Sequence, residues 1–224
     1  MDWTALTLSL KLAAWTMLVL LPIGIALGRT LAWKRFAWKP VAEGILALPL
    51  VLPPTVLGFY LLTGLGPRSP MGRLFEAAAG HPFPFSFAGL LVASVLYSTP
   101  FAVQPFAGAL AGVDRRLIEA SHALGVSPLA TFFRVTLPLA WPGVLAGAIL
   151  TFAHTLGEFG VVLMVGGNIP GRTRTLSVAI FDHVESLEYA AAHRTAGLLL
   201  AISFVVLALV YALQRRPFFR WNER

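Results

Sequence analysis

The sequence predicts an all-α integral membrane protein with about five transmembrane helices. Three observations carry that expectation. Of its 224 residues, 57% are hydrophobic and only 12% charged. The apolar residues fall in long blocks, and the basic residues gather between alternate blocks. A soluble domain carries roughly twice that charged fraction, whereas blocks of about 20 apolar residues match the hydrocarbon core of a bilayer. The mean hydropathy of +0.77 agrees. A net charge of +7 would suit a nucleic-acid partner, but topology explains the charge better, and none is expected.

The first block, 5–28, carries Lys11 near enough to its end to reach the interface. No basic n-region precedes the block and no A-x-A-like site follows it, so it reads as a retained helix. The second, 42–64, holds Pro49, Pro53 and Pro54, which together nearly forbid a straight helix. Kinked packing and a discontinuous, pathway-lining helix both fit that run. The third block, 87–111, contains Pro100 and Pro105; the fourth runs 139–165 and the fifth 195–213. Cysteine is absent, so no disulfide or thiolate metal site enters.

Lys and Arg set the orientation. Arg29, Lys34, Arg35 and Lys39 follow the first block, and Arg115, Arg116 and Arg134 lie between the third and fourth. Arg215, Arg216, Arg220 and Arg224 follow the fifth, making eleven on one side. The other side has six: Lys11, Arg68, Arg73, Arg172, Arg174 and Arg194. The richer side is expected in the cytoplasm, with the N-terminus outside and the C-terminus inside.

The loop 112–138 lies on that cytoplasmic side and reads as two short helices. Asp114 is a good N-cap and Gly125 a left-handed stop. Between them Leu117, Ala120, Ser121 and Leu124 recur at helical spacing, giving a face whose small centre lets a partner approach closely. Ser127 caps a second helix with Pro128 at its first position, and that helix is expected to end before Pro138. About 25 residues is longer than a connection between packed helices needs.

The run Glu119-Ala120-Ser121, three residues, Gly125, nine residues, Val135, one residue, Leu137-Pro138 resembles the EAA loop of bacterial ABC importer permeases. Ser121 and Val135 stand for the usual Ala and Ile. The resemblance implies a MetI-like transmembrane domain, a single permease domain over 1–224 with its core at about 6–213. It also implies that Glu119, Ala120, Ser121, Gly125, Leu137 and Pro138 couple the chain to a cytoplasmic ATPase. Such a permease is not itself an enzyme and holds no cofactor; ATP and Mg belong to the partner. The implied assembly is a homodimer with two copies of the ATP-binding subunit and a periplasmic binding protein, in the bacterial inner membrane.

Further stretches bear on the substrate. Pro49-Leu50-Val51-Leu52-Pro53-Pro54 with Gly58, Leu156-Gly157-Glu158-Phe159-Gly160, and Asn168-Ile169-Pro170-Gly171 before Thr173-Arg174-Thr175 resemble segments of molybdate permeases. The middle stretch is shared with sulfate permeases, and Met164-Val165-Gly166-Gly167-Asn168 is similar to tungstate permeases. Molybdate and tungstate, tetrahedral dianions of nearly equal size, stay open together. His154 departs from the pattern, standing where relatives usually carry Arg.

Arg172 and Arg174 flank Gly171 and Thr173 on the outer side, suited to the carboxylates of a molybdate-binding protein or to an oxyanion. Along the pathway hydroxyls are expected rather than fixed cations, because a pump must release its dianion. Ser98, Thr99, Thr151 and Thr155 are the candidates, with Ser94 beside them. Their bland alternative is a bond to a carbonyl of their own helix. Pro53, Pro54 and Glu158 are expected to be structural, Glu158 accepting backbone N–H groups or pairing with an outer Arg. His154 and Glu158 lack a third metal ligand, so no metal site is expected.

Two other classes fit less well. A secondary anion transporter or channel would want inverted repeats and ion-coupling charges within its spans, and an intramembrane enzyme a nucleophile with its base. Neither pattern is present. Nor is G-x-x-x-x-G-K-[ST], in keeping with ATP being bound elsewhere.

Overall fold

The computed structural model describes residues 2–214, and among them every regular element is helical. Asp2 caps the first helix, α1 (Trp3–Trp33), through a 2.9 Å bond from the Ala5 amide. Its 31 residues outrun the predicted block and carry the chain to the first basic cluster.

The second block is discontinuous. α2 (Lys39–Val51) and α3 (Pro54–Gly64) meet at 109°. Leu52 and Pro53 between them are extended, because a residue ahead of proline is pushed out of the helical region. Among the described residues four helices are long and apolar enough to cross a membrane, or five if the bent pair is one span. α4 (Pro70–Ala79) lies in the loop expected outside, capped by Ser69 and stopped by Gly80 at φ 74. No apolar block announced it, since its pattern is amphipathic rather than uniformly apolar.

α5 (Phe87–Ala111) coincides with the third predicted block and is followed by α6 (Arg115–Ala123) and α7 (Pro128–Thr131). Here the sequence expectation needs two corrections. The second loop helix does not end before Pro138: it passes through a π-helical turn, Phe132–Thr136, straight into α8 (Leu137–Gly157). Pro138 has no N–H for the Arg134 carbonyl and its ring would strike it. The wider turn removes that conflict, and Leu137 N–H bonds instead to the Phe132 carbonyl.

The fourth block is also not one helix to residue 165. α8 stops at Gly157, and a short α9 (Gly160–Gly166) follows. Glu158 makes the break, because its Oε1 accepts the Val161 amide at 2.9 Å. That amide is one of the open donors at the start of α9. α10 (Leu176–Glu185) and α11 (Tyr189–Gln214) complete the described chain. α11 starts ahead of the predicted 195, so Arg194 lies in its first turns. Arg215, Arg216, Arg220 and Arg224 lie outside the described residues.

The core is a bundle of α1, α5 and α8 closed on Phe106. A Cβ on Gly24 of α1 would sit 2.9 Å from that ring, and one on Gly147 of α8 2.8 Å from it. Small residues therefore bring both helices onto α5, as helix packing in lipid requires. Leu20, Ala102, Leu110, Val144 and Ala148 fill the layer around Phe106. A second layer, Leu12, Leu90, Val162 and Val178, joins α9 and α10 to it. The broken pieces α3 and α9 pack together at Gly58 and Met164.

Candidate functional site

The loop between α5 and α8 is a rigid hairpin of short helices. Asp114 Oδ1 accepts the Arg116 amide at 2.9 Å and starts α6. Gly125, at φ +77, ends it: its N–H bonds to the His122 carbonyl, and the Val126 N–H to that of Ser121. Ser127 caps α7 through the Ala130 amide, with Pro128 at the first position.

The predicted face of α6 divides in two. Leu117, Ala120 and Leu124 are exposed, Leu124 by 83%, and Glu119 lies exposed among them. Ser121 turns inward instead, and its hydroxyl meets that of Thr131 at 2.9 Å in a buried bond that locks α6 to α7. Leu137 packs against the core layer around Phe106, and Pro138 is exposed at the start of α8. Beside them Arg29 of α1 lies 4.7 Å over the Phe132 ring, holding α1 to the π turn.

On the far side of the bundle Arg172 is exposed, whereas Arg174 is committed within the chain. Its Nε donates to Asn168 Oδ1 at 2.6 Å, and its guanidinium pairs with Asp182 at 3.2 Å and Asp2 at 3.9 Å. Asn168 Nδ2 closes the ring on Asp182. Sequence reading missed this network, because nothing local relates Asp2 to Arg174. Glu158 forms no ion pair among the described residues; the Ser177 hydroxyl donates to its backbone carbonyl, and Oε2 is buried without a partner.

Three of the candidate pathway hydroxyls back-bond to their own helices: Thr99 to Val95, Thr151 to Gly147 and Thr155 to Thr151. Ser98, fully buried, instead reaches from α5 to α8, where it meets Thr155 Oγ1 and His154 Nδ1. Pro53 and Pro54 sit at the bend of the broken span, Pro54 against Gly160 at the start of α9.

Residues 21–218 match the family of binding-protein-dependent transport system inner membrane components. The molybdenum transport system permease protein ModB of Azotobacter vinelandii is 51% identical over 214 residues, 96% of this chain and 95% of that protein. ModB of Escherichia coli strain K12 is 39% identical over 185 residues, 83% of this chain and 81% of its own. The fold is similar to that of the MetNI methionine ABC transporter in an inward-facing conformation. That likeness has a TM-score of 0.64 at 20% identity and covers 96% of this chain and 94% of that one.

Proposed function

The chain belongs to the family of binding-protein-dependent transport system inner membrane components, and from that premise we propose that it is the multi-pass permease subunit of an ATP-driven molybdate importer in the bacterial inner membrane. The observation that carries the mechanism is the capped helix α6. It presents Glu119, Leu117 and Leu124 outward and is tied by the Gly125 turn and the Ser121–Thr131 bond to α7, which runs through the π turn into the core helix α8 as one continuous helix. An ATPase seated on that surface moves α8, and α8 moves α5 through Phe106.

Glu119 pairs with a basic or amide group of the ATPase, and the exposed leucines enter its groove. Gly125 sets the turn, while Ser121, Leu137 and Pro138 transmit rather than touch. Two such loops serve two ATPase subunits, so the working permease is a homodimer. ATP and Mg are held by those subunits. Arg172 docks the periplasmic binding protein, and Arg174 holds the docking loop in shape through Asp182 and Asp2. The names of the relatives support molybdate as cargo; tungstate, of the same charge and shape, is the second reading.

The test is ATPase activity of the reconstituted complex, this chain with its ATPase and binding protein, supplied with molybdate, tungstate or sulfate. Stimulation by molybdate and tungstate but not sulfate is expected. Stimulation by sulfate alone overturns the substrate, and failure to form a complex overturns the coupling loop.

A further inference from the structure

The direction of the hydrogen bonds around Ser98 can be counted out. A carbonyl only accepts, so Thr155 spends its one hydroxyl proton on the Thr151 carbonyl at 2.9 Å. Ser98, 2.9 Å from Thr155 Oγ1, must then donate to it, and its own proton is spent. His154 Nδ1, 3.1 Å from Ser98 Oγ, must therefore be the donor of that pair. A neutral imidazole has one N–H, so Nε2 is left as a bare lone pair.

That lone pair is open. His154 is half-buried, and its Nε2 has no partner among the described residues, yet it is not among the buried polar atoms lacking one. The ring is held rigidly, stacked on Phe101 at 3.8 Å with Tyr97 at 5.2 Å. Gln104, exposed, continues the same face of α5 beyond Phe101. An open imidazole nitrogen and a free amide within the spans are costly against hydrocarbon. For this face of α5 and α8 a water-lined surrounding is the favourable one.

A bare lone pair repels an oxyanion, whereas an imidazolium N–H attracts one, and the aromatic faces of Phe101 and Tyr97 favour that cation. We infer that His154 contacts the tetrahedral oxyanion in the pathway and binds it together with one proton, taken onto Nε2 as the anion arrives and returned as it leaves. The inference rests on the oxyanion-importer reading above. The balance is simple: one solvent proton adds to neutral His154 and the dianion is unchanged. This group is a cation only while the anion is present.

The other titratable groups near it are Tyr97 of α5 and Glu158, just past the end of α8 with its Oε1 on the Val161 amide. Among the described residues, α1, α5 and α11, the long helices packed on α8, bring no charged side chain into an ion pair with His154.

The test is nitrogen-15 histidine NMR of the complex of this chain with its ATPase and binding protein in nanodiscs, the His154 signal assigned with His154→Gln. The Nδ1–H tautomer is expected at rest, with both nitrogens protonated once molybdate is added. An Nε2–H tautomer at rest, or no response to molybdate, overturns the inference. In vesicles, His154→Gln should lower molybdate uptake about tenfold and flatten its pH profile, while His154→Arg, a permanent cation, should keep uptake and flatten the profile. Uptake at the wild-type rate and pH profile in both variants overturns it equally. A wild-type complex that moves no tetrahedral oxyanion overturns the importer reading and this inference with it.

Discussion

At Gly125 the backbone stands at φ +77, while nothing lies within 4 Å of where a Cβ would be. Conformation alone, not space, selects glycine there. Asn and Asp visit that region at similar cost, so the two substitutions separate charge from strain. Gly125→Asn should keep uptake close to normal, while Gly125→Asp should insert but hydrolyse ATP without transport, because only it sets a negative charge beside Glu119 against the ATPase. Equal uptake in both would remove the coupling role from this turn. Gly147 is the opposite case: a Cβ meets the Phe106 ring at 2.8 Å, so Gly147→Val should destabilise the bundle by about 1–3 kcal/mol, read as earlier thermal unfolding in detergent. Gly125 was legible in the sequence, because a stop between two capped helices is a local signal. Ser98 with His154 was not, because the partners are 56 positions apart and each alone reads as an ordinary intramembrane polar residue.

Among elements, the loop hairpin behaves as one lever only while α6 stays fixed to α7. The Ser121–Thr131 bond is the buried polar tie between them. Ser121→Ala leaves the Thr131 hydroxyl without its partner, a cost of about 1–3 kcal/mol, and should raise the ATP hydrolysed per molybdate transported. Adding Thr131→Val should recover much of the loss; no recovery would mean Ser121 acts on the ATPase directly. The caps of this hairpin were readable from Asp114, Ser127-Pro128 and Gly125. Its continuity into α8 was not, since Pro138 argues locally for a stop and only the π turn shows how the chain passes it. Likewise the sequence offered Glu158 as an acceptor of backbone N–H groups, as it is for Val161, but gave no sign that this would start a new helix. On the far side the two arginines should separate: Arg172→Glu weakens stimulation by the loaded binding protein with the bundle intact, whereas Arg174→Glu disrupts the Asp182–Asp2 network and lowers thermal stability. Equal effects in the two assays would contradict that division.

For the whole molecule, block lengths and basic residues made the number of spans legible. The helices α4 and α10 were not, being amphipathic and short. Because the chain has no cysteine, single introduced cysteines can map its sides without background. Ser127→Cys should react with an impermeant maleimide only from the cytoplasm and Glu188→Cys only from outside; the reverse would invert the orientation and move the coupling loop away from any ATPase. The central claim is that this chain carries the anion only when ATP is spent on its partner. Uptake of labelled molybdate into vesicles holding the assembled complex tests it most directly. Accumulation is predicted to need binding protein outside and ATP on the loop side, and to stop with Gly125→Asp. Accumulation driven by an imposed ion gradient, with no ATP present, would contradict the account and make the chain a secondary transporter.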